Sequence, residues 1–214
     1  MNKIDYRKEM EKVTAQLDHR ARLLLHSCCA PCSSACLVTL LPYFDITCFY
    51  YNPNITDKGE YYKRYAELER LVRLLNEEYA PDVLIKTEDG GYTPDAFLDM
   101  AVSEGLESCP EGGRRCRRCF EMRLLKTEET AAAGGFEYFT TTLTLSPLKS
   151  AELINSIGFS LAGTDGPIWL PSDFKKKDGF KKSIELSKKY GLYRQDYCGC
   201  IYSYKERHEN ENNS

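Results

Sequence analysis

Seven of the ten cysteines in this chain of 214 residues fall into three short clusters. The clusters are Cys28, Cys29 and Cys32; Cys116 and Cys119; and Cys198 and Cys200. Thiols this close in sequence have the spacing at which thiolates converge on one metal centre, whereas a disulfide framework spreads its cysteines to close long loops. The spacing therefore predicts a cysteine-rich metal or redox site, without separating zinc from iron-sulfur.

The first cluster contains two adjacent cysteines at the end of a predicted strand. In a regular strand, the side chains of Cys28 and Cys29 would point to opposite faces. Both can serve one centre only if the loop departs from strand geometry, and the alternative is that they face two neighbouring sites. Cys36 and Cys48 lie within apolar runs and are predicted to pack in the core, and no role is assigned to Cys109.

The second cluster is a CxxC at the start of a predicted helix, where amide groups and the helix dipole favour thiolates. Four arginines flank this pair: Arg114, Arg115, Arg117 and Arg118. Their positive charge would stabilise a group of thiolates or bind a polyanionic substrate.

The third cluster is a CxC in which Gly199 supplies the backbone freedom that the pair requires. A disulfide across one residue would be strained and easily reduced, so the CxC indicates either a redox switch or two metal ligands.

Composition is typical of one globular domain. The chain is 42% hydrophobic and 12% aromatic, and its net charge of -3 does not by itself indicate a nucleic-acid partner. A second basic block does occur at 175–182. No apolar run approaches the roughly 18 residues that span a bilayer, and residues 1–20 are too polar for a signal peptide. We therefore expect a soluble intracellular protein whose thiols are kept reduced.

Short apolar runs alternate with helical periods along the chain. Strands are predicted at 22–26, 46–51, 83–87 and 138–143, and helices at 35–41, 58–79, 97–102, 116–133 and 149–162. This alternation predicts an α/β fold, a parallel twisted sheet flanked by helices, Rossmann-like and of the kind found in nucleotide hydrolases. A helical extension at 1–20, a single domain at 21–205 and a polar tail at 206–214 are expected.

Ligands of such sheets bind at the carboxyl ends of the strands, where the loops after the strands lie. The loops 27–32, 52–54 and 144–146 should all meet at that edge. The cysteine-rich site is therefore predicted there.

Four motifs follow one another in the chain. They are Leu24–Cys32 (LLHSCCAPC), Tyr51–Ile55 (YNPNI), Pro110–Phe120 (PEGGRRCRRCF) and Tyr197–Cys200 (YCGC). With these motifs, the chain resembles the QueH family of cobalamin-independent epoxyqueuosine reductases over about residues 22–203. The resemblance implies a cytoplasmic oxidoreductase in the last step of tRNA queuosine biosynthesis, which reduces the epoxide of epoxyqueuosine at the wobble position of tRNA to an alkene.

The resemblance also implies the cofactors. Cys28, Cys29, Cys116 and Cys119 would hold a 4Fe-4S cluster, with Cys198 and Cys200 as a redox-active pair. A cluster passes electrons singly, so the two-electron reduction needs a second acceptor or a metal acting as a Lewis acid. In an alternative assignment, an additional mononuclear iron is held by one of the first two cysteines, Cys32 and a CxC thiol. Some relatives have aspartate at position 32, which also ligates iron. The electron donor stays unidentified.

Binding a tRNA anticodon loop would require phosphate contacts and stacking surfaces. The predicted contacts are the four arginines around the CxxC, the second basic block, Asn52, Asn54, and the tyrosines 50, 51, 61 and 62. His26, Asp173 and Asp196 are candidates for a proton donor.

Two other functions compete with the reductase. A zinc-stapled RNA-binding module without catalysis would be colourless, with a closed tetrahedral site. An adenylating tRNA-modifying enzyme would need a glycine-rich phosphate loop after its first strand, and cysteines and proline occupy that position here.

Overall fold

A parallel sheet of five strands lies at the centre of the computed structural model, which describes residues 4–211 of the chain. The strands are β1 (Ala21–His26), β2 (Phe44–Tyr50), β3 (Lys86–Asp89), β4 (Tyr138–Thr141) and β5 (Ile168–Trp169). The helices are α1 (Tyr6–Ala15), α2 (Ala30–Leu40), α3 (Lys58–Tyr79), α4 (Pro94–Ser103), α5 (Arg114–Ala133), α6 (Ala151–Leu161), α7 (Gly179–Lys189) and α8 (Ile201–Glu211). The strand order is β3-β2-β1-β4-β5, and every pair is parallel.

Alternating side chains of β1 build a core on each face of this sheet. Leu23 and Leu25 pack in the larger core with residues of α2 and α3, whereas Leu24 packs in the second core with residues of α5 and α6. All three leucines are fully buried. A strand that is covered on both faces has a continuous apolar sequence, and β1 could be predicted for this reason.

The strand order reverses between β1 and β4. From β1 the chain continues to β2 and β3 on one side, and then crosses to β4 and β5 on the other. Such a reversal opens a crevice beyond the carboxyl ends of the two central strands, where open α/β sheets bind ligands. The predicted fold class is confirmed, and the loops after β1, β2 and β4 lie at this edge.

Three elements were not predicted: β5, α7 and α8. β5 has only two residues, too few for a visible pattern. Two lysines of the basic block precede α7 and pair with the amino-terminal segment, Lys176 with Asp5 at 2.9 Å and Lys177 with Glu11 at 2.6 Å. Helix α8 continues into the predicted polar tail.

No helix among the described residues is long and apolar enough to cross a membrane.

Gly158 allows α6 to approach β5 closely. A Cβ atom at this position would overlap the buried indole ring of Trp169, which also donates a hydrogen bond to Asn155 Oδ1 at 3.1 Å. We predict that Gly158→Ala lowers the free energy of unfolding by about 1–3 kcal/mol, because overpacking a filled core costs more than the helix gains from alanine. Urea unfolding measures this change. Gly163→Ala, where a Cβ meets nothing within 4 Å, is the control and should unfold like the parent.

Candidate metal and redox site

The first cysteine cluster lies where β1 ends and α2 begins. The strand ends at His26, and Cys29 is the extended residue that precedes the helix, with Pro31 in its first turn. The chain thus leaves strand geometry before the two adjacent cysteines, and their Sγ atoms lie 3.8 Å apart on the same side. The Sγ atoms of Cys28, Cys29 and Cys32 all lie within 4.8 Å of one another. We call these three residues the triad.

These distances fit a metal. Two thiolates bound to one tetrahedral ion at about 2.3 Å must lie about 3.8 Å apart. Cys28 also lies at the crevice between the two central strands, since its amide donates to Thr142 Oγ1 at 3.2 Å and the same hydroxyl lies 3.3 Å from its Sγ. Thr142 follows β4 directly. The triad therefore occupies the site that the strand order predicts for a ligand.

The second and third cysteine clusters line a common cavity. Cys116 and Cys119 lie in the first two turns of α5, and Cys198 and Cys200 lie immediately before α8. All four line one cavity, which we call the four-thiol cavity. The Sγ atoms of Cys198 and Cys200 lie 3.6 Å apart, and both thiols are free, so this pair also has the spacing of two ligands on one ion.

Buried polar groups hold the CxC in place. Asn54 Nδ2 donates to the carbonyl of Cys198 at 3.1 Å, and Arg64 Nη1 donates to the same carbonyl at 3.3 Å. Gly199 has φ +108, and a Cβ atom there would clash with Ile55. The CxC therefore requires glycine at this position, as predicted. At the head of α8, the hydroxyl of Ser203 lies 3.0 Å from Cys198 Sγ.

A second cavity, the triad cavity, is lined by Cys28, Cys29 and Cys32 and adjoins the first. Five residues line both cavities: Glu111, Arg123, Leu148, Lys149 and Cys198. The fold therefore brings all seven clustered cysteines into two contiguous cavities, with the thiol of Cys198 at the boundary between them. Cys36 and Cys48 are fully buried, as predicted, and Cys109 packs beside Cys119 and Cys200.

Arg123 is a buried cation at this boundary. It is 3% exposed, and its guanidinium group donates to Asn52 Oδ1 at 2.5 Å, to His26 Nε2 at 3.2 Å and to Cys119 Sγ at 3.9 Å. Among the side chains described, those of residues 4–208, no carboxylate forms an ion pair with it. An uncompensated buried charge costs several kcal/mol, so the site is electrostatically suited to anionic sulfur.

His26 supports Arg123 and carries no charge. Nε2 of His26 lies 3.2 Å from both Arg123 Nε and the carbonyl oxygen of Tyr51, and Nδ1 lies 2.7 Å from Thr141 Oγ1. Burial, together with the charge of Arg123, lowers the pKa of His26 to about 3. The ring stays neutral near pH 7 and does not supply a proton.

Positive charge favours the thiolate form at two cysteines. The pKa of Cys28 lies well below its usual value because Cys29 and Cys32 hydrogen-bond its thiolate, and Lys149 and Arg123 add favourable charge. The pKa of Cys198 is lowered in the same way by Cys200 and Ser203, and again by Lys149. Lys149 is half-buried; burial lowers its pKa, but the thiolates outweigh burial and the net shift is upward.

The predicted tRNA contacts lie in different environments. Arg115 is 1% exposed and donates to the carbonyls of Leu106 and Glu107, so its charge holds a loop. Arg117 and Arg118 are exposed but paired with Glu121, at 2.9 and 2.5 Å. Arg114 is exposed at the start of α5.

The two predicted asparagines are buried. Asn52 connects the Ser27 carbonyl to Arg123. Asn54 supports the CxC, and its Oδ1 atom is buried with no hydrogen-bond partner among the described residues. Of the other candidate proton donors, Asp173 pairs with Lys175 at 2.8 Å and lines neither cysteine cavity, whereas Asp196 lines the triad cavity.

Sequence reasoning missed Arg123 and Lys149. The signal for Arg123 was its position four residues after Cys119, which places both on one face of α5. Lys149 follows a proline-containing turn after β4, at the predicted sheet edge, but a single lysine in a loop carries no pattern of its own.

The fold and the site together define a doubly wound α/β protein with a cysteine-lined metal or redox centre at the strand-order reversal. The family model described as epoxyqueuosine reductase QueH matches residues 23–206, and the chain belongs to this family.

Curated relatives named epoxyqueuosine reductase QueH, including the following three, match most of this chain. The protein from Staphylococcus epidermidis is 42% identical over 204 residues, which cover 94% of this chain and 85% of the relative. The Haemophilus influenzae protein is 37% identical over 191 residues, covering 88% and 74%. The Thermotoga maritima protein is 33% identical over 190 residues, covering 87% and 92%. The resemblance carried by the four motifs is confirmed.

The triad can be tested against a matched cysteine on the same helix. Cys32 and Cys36 both lie on α2, one turn apart, but only Cys32 belongs to the triad. We predict that Cys32→Ala lowers the metal content of the anaerobically purified protein, because it removes one of three converging thiols. Cys36→Ala should keep the metal content of the parent. Metal analysis of the folded variants measures both, and an unchanged content in Cys32→Ala would contradict a metal held by the triad.

Proposed function

We propose that this chain is an epoxyqueuosine reductase, which removes the epoxide oxygen of epoxyqueuosine in tRNA and leaves the alkene of queuosine. The observation that carries the proposal is the convergence of seven thiols on two contiguous cavities at the sheet edge, in a chain that belongs to the QueH family. Reductive removal of an oxygen atom needs two electrons and two protons. A concentration of thiols and cations suits an electron-transferring metal site.

We infer that the metal is iron held with sulfide, as a 4Fe-4S cluster with an additional mononuclear iron. The thiols available for it are the triad, the CxxC of α5 and the CxC. The resemblance assigns Cys28, Cys29, Cys116 and Cys119 to the cluster, and the triad distances add Cys32 as a further ligand. When bound, this group supplies single-electron transfer and Lewis acidity toward the epoxide oxygen.

The chain's own residues prepare the site for that chemistry. Arg123 and Lys149 provide positive charge on the boundary between the cavities, which offsets the negative charge of several thiolates. Asn54 and Arg64 hold the CxC backbone, so the Cys198 and Cys200 thiols keep their positions as a redox-active pair or as iron ligands. The side chains of Phe97, Phe120 and Leu153 give the four-thiol cavity an apolar part of its wall.

The proposed substrate is tRNA carrying epoxyqueuosine at the wobble position. The proposed reaction takes place in the cytoplasm and does not use cobalamin. An electron donor that delivers single electrons is also required. Exposed cations near the cavities would contact the RNA backbone, which supplies most of the affinity of such complexes. Arg114 and the exposed lysines Lys181 and Lys182 meet this description.

The decisive experiment is an anaerobic assay of the purified protein. With dithionite as reductant and tRNA containing epoxyqueuosine, we expect the modified nucleoside to lose one oxygen atom by mass spectrometry. Iron and sulfide should be bound, with broad visible absorbance. Replacement of Cys198 by serine should abolish turnover. A colourless protein with stoichiometric zinc and no turnover would instead indicate the RNA-binding module.

Charge reversal tests the RNA surface. Arg114→Glu should weaken binding of tRNA and reduce the slope of log K against log salt by about 1, because one phosphate contact is lost. Lys86→Glu is the control, since Lys86 is exposed at the amino end of β3, on the opposite edge of the sheet. Filter binding at several salt concentrations measures both variants. Equal slopes for Arg114→Glu and the parent would exclude Arg114 from the interface.

A further inference from the structure

Reduction of an epoxide to an alkene consumes protons as well as electrons. The epoxide takes up two electrons and two protons, both carbon-oxygen bonds break, and the oxygen leaves as water. An acid that protonates the oxygen as its bond breaks typically contributes 10²–10⁴-fold to such a rate. The acid must lie where the substrate meets the thiols, and in this fold that place is the boundary between the two cavities.

One carboxyl group lines both cavities. Of the acidic residues in the described part of the chain, Glu111 is the one on the boundary, beside Cys198 and Lys149. Asp196 lines the triad cavity alone. His26 contacts Arg123 in the interior and lines neither cavity, so it does not compete for the role.

The loop that carries Glu111 is fixed on several sides. Its amide donates to Glu206 Oε2 at 3.1 Å, and Glu206 also pairs with the buried Arg115 at 3.2 Å. The next amide, that of Gly112, donates to Cys116 Sγ at 3.2 Å. The loop of Glu111 is therefore tied by its backbone both to α8 and to the CxxC.

The environment favours the protonated carboxyl. Burial raises the pKa of Glu111, and the charges of Cys198 and Glu206 raise it further, whereas Arg207 and Lys149 oppose the rise. The net pKa lies above the usual value for glutamate. The position of Glu111 on the boundary between the two cavities identifies it as the candidate.

We propose that Glu111 is the catalytic acid that donates a proton to the epoxide oxygen. This role rests on the proposed reductase function. The carboxyl O–H bond breaks as the first carbon-oxygen bond opens, and the one-electron reductant supplies two electrons in all. Solvent provides the second proton when the oxygen leaves as water, and another solvent proton restores the carboxyl group of Glu111.

The test is Glu111→Gln, which keeps the size of the side chain and removes its proton. We expect the single-turnover rate with dithionite to fall by about 100-fold or more. Iron content, tRNA affinity and thermal stability should match the parent. Glu111→Asp should recover part of the rate. The control is Glu107→Gln, four residues earlier and exposed, which should turn over like the parent.

The pH dependence adds a second readout. With Glu111 as the acid, the parent rate should decline as pH rises through the pKa of Glu111, and this decline should be absent in Glu111→Gln. A rate in Glu111→Gln within threefold of the parent, a loss of iron in that variant, or a larger effect of Asp196→Asn would overturn the role. If the parent itself fails to reduce the substrate, the proposed function falls and the role falls with it.

Discussion

The buried guanidinium group of Arg123 is the interaction on which the site depends. It contacts Cys119 of α5, Asn52 of the loop after β2 and His26 of β1, and so it ties three separate segments together. No carboxylate of residues 4–208 forms an ion pair with it. A cation buried at such cost is stable only beside other negative charge, and thiolates are the groups that the fold supplies. The structure is thus electrostatically incomplete without anionic sulfur at this position.

The sheet topology explains why cysteines so far apart in sequence meet. The triad follows β1 and contacts Thr142 after β4, and these are the two strands between which the order reverses. Helix α5 packs on the same two strands, and the CxC is bonded to the loop after β2. Each cysteine cluster is therefore attached to a loop or helix end on the same edge of one rigid sheet.

Much of this arrangement was predictable from local patterns. The bounds of α3 agree with the helix predicted at 58–79, and the loops expected at the carboxyl edge do lie there. The third strand was predicted at 83–87, but β3 begins at Lys86. Its residues are mostly exposed, and exposed residues give a strand no apolar pattern in the sequence. The direction of individual side chains was harder to predict than the position of the elements. Arg115 and Arg117 have similar sequence surroundings, yet Arg115 is buried and Arg117 is exposed. Only tertiary packing determines this difference.

The attachment of the CxC has a consequence for how the protein matures. Cys198 and Cys200 come after every strand of the sheet, and Asn54 and Arg64, which bind the carbonyl of Cys198, belong to a much earlier part of the chain. In the order of synthesis, the CxC therefore follows the five strands and the triad. Until it reaches the sheet edge, the four-thiol cavity lacks two of its four thiols. The CxC is thus the last of the three cysteine clusters to join the site.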